Sequence, residues 1–167
     1  MVPALTENVL LLLSKLNAND PHLVELDLTM NHLGPAGATQ LAATLRVNSF
    51  LRGLRLINNH LRDEGATALS AALRANSSLR KLDLDNNELG VPAATELAAA
   101  LRVTCYLREL NLGCNELGDE GATALAAALS VNSSLSWLNL GMNDLGCAGK
   151  EILHDAWGVR EGHLYLD

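Results

Sequence analysis

Leucine returns to the same place every 28 residues through most of this 167-residue chain. Leu23, Leu51, Leu79, Leu107 and Leu135 form one column, and Leu26, Leu54, Leu82, Leu110 and Leu138 a second. Leu28, Leu56, Leu84, Leu112 and Leu140 form a third, and Leu33, Leu61, Leu89, Leu117 and Leu145 a fourth. Between the last two stands asparagine, at Asn31, Asn59, Asn87, Asn115 and Asn143. A period of this length means one small unit repeated in register. No unit can bury its own apolar side chains, so each is completed by its neighbours.

One unit reads as a strand, a turn and a helix. In Leu79-Arg80-Lys81-Leu82-Asp83-Leu84, the strand period of two turns Leu82 and Leu84 inward and Lys81, Asp83 and Asp85 outward. Asn87 follows at the turn, where an amide can satisfy backbone groups trapped between units, so the asparagine column is structural. The second half is helical: Leu69 and Leu73, Leu97 and Leu101, and Leu125 and Leu129 are four apart and share a face. Asp63-Glu64 and Asp119-Glu120 are expected to cap the helices they begin, and Pro92 suits a first turn. Arg46, Arg74 and Arg102 complement the helix ends, while Asn48-Ser49, Asn76-Ser77 and Asn132-Ser133 make the return turn, with Thr104-Cys105 the departure. Ala38, Ala66, Ala94 and Ala122 permit close helix packing. Stacked units give an α/β solenoid, with a parallel sheet on the concave face and helices on the convex one. The expected division is an N-terminal capping helix and turn over 1–22, five repeats over 23–157, and a closing turn and strand over 158–167.

The unit L-x-x-L-x-L-x-x-N-x-L-G-x-x-G-A-x-x-L-A-x-x-L-x-x-N, seen well over residues 79–134, resembles the ribonuclease-inhibitor-like class of leucine-rich repeats. That class includes Ran GTPase-activating proteins, tropomodulins and the sensor arrays of NOD-like receptors, and the resemblance implies a horseshoe segment that binds proteins. The Asn-Ser-Ser-Leu turns are most similar to NOD-like receptor and tropomodulin arrays. No nucleotide-binding domain, actin-binding segment or death-fold domain accompanies them, so those activities do not transfer. Gly162-His163-Leu164-Tyr165-Leu166 resembles the closing strand of NOD-like receptor arrays, with Leu166 expected to keep the 28-residue register.

Composition narrows the function. A net charge of −7 argues against a general nucleic-acid binder, which needs clustered cations. Cys105, Cys114 and Cys147 are odd in number and occupy three different repeat positions, so they suggest no disulfide or zinc framework and favour a reducing, cytoplasmic setting. No apolar run suits a membrane span. Neither a nucleophile motif nor a phosphate-cradling glycine loop is present, so the chain reads as non-enzymatic and cofactor-free.

The outward strand columns are the expected partner surface. The first runs Glu25, Gly53, Lys81, Glu109, Trp137 and then Tyr165. The second runs Asp27, Arg55, Asp83, Asn111, Asn139 and Asp167, and the third Thr29, Ile57, Asp85, Gly113 and Gly141. Rows about 4.8 Å apart make a face roughly 20 Å wide, which suits a protein or peptide. Trp137 is the anchor candidate, with open space expected over Gly113 and Gly141. Asp83, Asp85, Glu88, Glu109 and Glu116 form an acidic group suited to a basic partner. Arg52, Arg80 and Arg108 line one edge, where neighbouring carboxylates are expected to offset them. His32, His60, Glu88, Glu116 and Asp144 share a column, but rows some 5 Å apart cannot converge on a metal ion needing ligands near 2 Å, so no metal is expected.

At the start, residues 3–16 read as a helix with Leu5, Val9, Leu12 and Leu16 on one face. Leu10 and Leu11 then point outward and predict self-association or packing against further chain. The principal expectation is a protein-interaction module. The alternatives are a regulator of a small GTPase and a structural cap of a longer array.

Overall fold

Alternating leucines flanked by a turn and an alanine-rich amphipathic segment can satisfy their backbone only as short parallel strands joined by helical crossovers. The computed structural model describes residues 7–167 and has this arrangement. In order the elements are α1 (Glu7–Asn17), β1 (Glu25–Asp27), α2 (Gly34–Leu45), β2 (Gly53–Arg55), α3 (Arg62–Ala75) and β3 (Lys81–Asp83). They continue as α4 (Val91–Leu101), β4 (Glu109–Asn111), α5 (Gly118–Leu129), β5 (Trp137–Asn139), α6 (Cys147–Trp157) and β6 (His163–Tyr165). The six strands form one parallel sheet in chain order, and each helix packs on the next.

The core is aliphatic. Leu54, Leu56, Leu82, Leu84, Leu110 and Leu112 are buried beneath the sheet, against Leu69, Leu97 and Leu125 from the helices. Each contributes about 2 kcal/mol through burial. The small residues Ala38, Ala66, Ala94 and Ala122 are fully buried where adjacent helices meet.

In α1, Val9 and Leu16 are buried, Leu13 joins them, and Leu12 is half-buried against the same core. Leu5 lies outside the described residues. Leu10 and Leu11 are 52% and 55% exposed.

Two side-chain ladders hold the turns. In the first, an asparagine carbonyl accepts backbone N–H groups from the preceding unit: Asn59 N donates to Asn87 Oδ1 (3.0 Å), and Asn87 N (3.0 Å) and Leu89 N (3.1 Å) both donate to Asn115 Oδ1. The amide nitrogens donate to carbonyls on either side of the gap, as Asn87 Nδ2 does to Leu56 O and Asp85 O, both at 2.9 Å. Asn59, Asn87, Asn115 and Asn143 are buried, while Asn31 in the first row is half-buried.

The second ladder was not evident from sequence, where its members read only as turn residues. Asn76 Nδ2 donates to Leu45 O and Asn48 O, and Asn132 Nδ2 to Leu101 O and Thr104 O. Asn48 Nδ2 reaches Leu16 O and so ties α1 to the array. Thr104 breaks this ladder by turning its hydroxyl back to Ala100 O, 2.8 Å away.

Two expectations need correction. Asp63 and Asp119 do not cap the helices they begin. Asp63 Oδ1 accepts from Gly90 N (2.8 Å) and Ala93 N (3.2 Å), and Asp119 Oδ1 accepts from Gly146 N (2.8 Å). Gly90 and Gly146 are the cap residues of α4 and α6 and have no side chain to serve there, so the preceding unit supplies the carboxylate.

The closing strand also slips by two residues. Trp137 pairs with His163, Leu138 with Leu164 and Asn139 with Tyr165, so Leu166 does not hold the 28-residue register. The connection from α6 to β6 spans 158–162, against 130–136 from α5 to β5. It is closed by Gly162 at φ 138°, where a side chain would collide with the Ser136 backbone.

Candidate protein-binding surface

Because strand side chains alternate and the rows are in register, the sheet face displays the outward columns side by side. Glu25, Gly53, Lys81, Glu109 and Trp137 are paired in sequence across β1 to β5, as are Asp27, Arg55, Asp83, Asn111 and Asn139. The two-residue slip changes the last row. His163 completes the first column, Tyr165 moves to the second beside Asn139, and Asp167 lies beyond the paired strand.

Trp137 and Tyr165 nevertheless meet diagonally, with ring centroids 5.5 Å apart and planes tilted by 51°. Trp137 is half-buried and Tyr165 exposed, so the pair presents an aromatic surface at one end of the face. A recess of about 270 Å³ runs from that end toward β1, with Arg55, Lys81, Asp83, Glu109 and Trp137 on its walls.

The expected open space over Gly113 and Gly141 is filled. A Cβ on Gly113 would lie 2.6 Å from Asp85 Oδ2 and 2.8 Å from Asn139 Nδ2, and one on Gly141 would strike the Asp167 carbonyl. These glycines are a floor across which polar side chains lie flat: Asn139 Nδ2 donates to Asn111 Oδ1 at 2.9 Å, and Gly113 N and Gly141 N donate to Asn111 Oδ1 and Asn139 Oδ1. Glu25 folds over Gly53 in the same way.

The charges divide into paired and uncompensated groups. Arg55 contacts Asp27 at 3.0 Å and lies 3.9 Å from Asp83, and Lys81 contacts Glu109 at 3.0 Å. Hydrogen bonds from the Thr29 hydroxyl and N–H, then from Arg55, hold the Asp27 carboxyl below its ordinary value. Asp83 and Asp85 differ. Burial pushes both carboxyls upward, and the Asp85 charge adds to the effect at Asp83. A carboxylate that has lost water without gaining a full partner is one that favours an incoming cation.

The acidic group anticipated from sequence is therefore not a single cluster. Glu109 is tied to Lys81, and Glu88 lies at the turn edge with His60 Nδ1 at 2.5 Å and Arg62 Nε at 3.0 Å. Those two partners hold Glu88 below its ordinary value. His32 stacks on His60 with centroids 5.6 Å apart, so that column is occupied by ring stacking and an ion pair.

The basic column is offset by a different means from the one expected. Arg52 Nη1 donates to Ser78 O (2.9 Å), Arg108 Nη1 to Ser134 O (2.8 Å), and Arg80 Nη1 to Ser77 O and Ser78 O. Backbone carbonyls of the return turns, rather than carboxylates, receive these guanidinium groups.

Comparison with known proteins places this geometry. No curated protein sequence matches the chain. Two solved structures superpose on nearly all of it. Leiomodin-1 Actin-Binding Site 2 has a TM-score of 0.77 at 20% identity, covering 92% of this chain and 88% of the other. The tropomodulin C-terminal domain of Caenorhabditis elegans has a TM-score of 0.76 at 20% identity, covering 90% and 91%. At that identity the likeness establishes the fold. A family model described as Leucine Rich repeat matches residues 19–42, 47–70, 75–98 and 104–126, more than half of the chain. The chain belongs to the leucine-rich repeat family.

Proposed function

We propose that this array is a non-enzymatic protein-interaction module that takes its partner on the sheet face. The carrying observation is the Trp137–Tyr165 aromatic pair standing at the end of a recess that also holds Asp83, with Asp85 over Gly113 nearby, two carboxylates raised by burial. A partner presenting an apolar group to the aromatics and a Lys or Arg to the carboxylates would gain from both. Arg55, Lys81, Glu109, Asn111 and Asn139 fix its register by charge and amide contacts. Actin is the first purified candidate, since this fold is similar to that of Leiomodin-1 Actin-Binding Site 2.

The test is affinity capture from cytosolic extract, followed by titration of the recovered protein, and of actin, against wild type and two folded variants. Trp137→Ala is expected to weaken binding about 30-fold, as for an aromatic hot spot of some 2 kcal/mol. Asp83→Lys with Asp85→Lys is expected to abolish it. Unchanged affinity in both variants refutes the sheet-face site. Stimulated turnover of a small GTPase, measured with the same protein, would support the regulator reading in its place.

A further inference from the structure

Arginines gather along one edge of this acidic protein. Arg46, Arg52, Arg74, Arg80, Arg102 and Arg108 all lie where helices return to strands. Asp63, Glu64, Glu116, Asp119 and Glu120 lie at the opposite edge, where strands lead into helices. Arg74 pairs with Glu96 at 2.7 Å. Among the described residues, no carboxylate comes within ion-pair distance of Arg46, Arg52, Arg80, Arg102 or Arg108. Five arginines without a carboxylate partner, three of them held by return-turn carbonyls, are not explained by composition in a chain with seven more acids than bases.

Helix-end carbonyls account for part of this, since cations suit that end of the dipole. They do not account for what lies between the arginines. Val47, Val103 and Val131 occupy one repeat column on this edge and are 64%, 67% and 60% exposed. Phe50 and Tyr106 stand three residues further on in their units and are also exposed. Arg46-Val47-Asn48-Ser49-Phe50-Leu51-Arg52 and Arg102-Val103-Thr104-Cys105-Tyr106-Leu107-Arg108 thus carry the same pattern two rows apart, apolar side chains between two arginines, while the row between them has Ala75 and Ser78 at the apolar positions and the row of Val131 has Ser130 and Ser136 at the arginine positions.

This edge is not flat. A recess of about 500 Å³ opens between the last full unit and the closing turn, with Arg108, Val131, Ser133, Arg160 and Glu161 on its walls. Arg160 stacks over Trp157 at 5.4 Å and gives one guanidinium nitrogen to Leu129 O, while its Nη1 is buried with no acceptor. A buried donor of this kind is satisfied when an acceptor enters.

We infer that this helix-to-strand edge is a second binding surface, separate from the sheet face, for an acidic amphipathic segment of a protein partner: an apolar stripe bordered on both sides by Asp or Glu. Its stripe seats on Val47, Val103 and Val131, its carboxylates meet the two arginine columns, and one enters the recess beside Arg160. Bidentate geometry favours carboxylate at guanidinium. A short acidic segment can touch this edge alone, whereas an extended anionic membrane would also face the acidic remainder of the molecule and be repelled by it.

The test uses a fluorescent peptide of repeated Glu-Leu-Glu-Glu-Leu-Glu-Glu units and its counterpart with every glutamate replaced by lysine. The glutamate peptide is expected to bind and the lysine peptide not, with affinity falling as salt rises. Arg46→Glu with Arg102→Glu, and separately Val103→Asp with Val131→Asp, should each weaken binding about tenfold. All four positions are exposed, and thermal unfolding confirms that the variants fold. Trp137→Ala should leave this binding unchanged, which separates it from the sheet-face reading. Equal binding of both peptides, or binding unmoved by the edge variants, overturns the proposal. So does capture by phosphatidylserine vesicles in place of the peptide, or self-association that the same variants abolish.

Discussion

Replacing Asn87 by alanine tests how much of the stability of this array depends on amide groups rather than leucine. Asn87 is fully buried. Its Oδ1 accepts from Asn59 N at 3.0 Å and more weakly from Leu61 N at 3.4 Å, and its Nδ2 donates to Leu56 O and Asp85 O, both at 2.9 Å. Truncation removes three good hydrogen bonds and one long one, and leaves backbone groups of two adjacent turns without partners. At about 1 kcal/mol for each good bond, the expected loss is about 3 kcal/mol, and more if the gap stays dry. Asn31 is the internal control. It is half-buried, and its side chain donates to Thr29 O at 3.0 Å, so Asn31→Ala should cost about 1 kcal/mol. Urea unfolding followed by circular dichroism measures both, and an unchanged denaturant slope shows that unfolding remains cooperative. A loss in Asn87→Ala no larger than in Asn31→Ala would refute the reasoning.

Thr104→Asn should stabilise the protein by about 1 kcal/mol in the same assay, by restoring the second ladder where Asn48, Asn76 and Asn132 already hold it. Ser70→Ala should also stabilise by about 1 kcal/mol. Ser70 occupies a column held elsewhere by Ala42, Ala98 and Ala126, and its hydroxyl is buried without a partner. Asp63→Ala should cost about 1–2 kcal/mol, with exchange protection lost at the start of α4 rather than α3, because its carboxylate caps the following helix. Burial raises the folded Asp83 and Asp85 carboxyls above the ordinary 3.8, so these groups bind protons better folded than unfolded. Stability they contribute therefore falls as pH rises through the window just above 3.8. Asp83→Asn with Asp85→Asn should remove that slope in a series of thermal midpoints, and an unchanged slope would count against the burial.

The parts legible in the sequence were those encoded within one unit. Leu82 and Leu84 point inward because strand side chains alternate, and Leu97 and Leu101 share a helix face because they are four apart. Trp137 could be placed on the sheet face from its column alone. The second asparagine ladder was visible as a pattern, yet Asn76 read as a turn residue because its hydrogen-bond partners, Leu45 O and Asn48 O, belong to the preceding unit. The position of Tyr165 was missed because a 28-residue count does not register a closing turn shortened by two residues.

The sequence by itself determined the repeat, the strand–turn–helix order, the aliphatic core and the columns facing outward, since each follows from spacing along the chain. Tertiary structure alone decided which helix Asp63 caps, what covers Gly113, where the last strand docks, and that five arginines beside exposed valines meet no carboxylate. Those outcomes depend on groups a whole unit apart in sequence and adjacent in space. Their geometry is set by how one repeat stacks on the next.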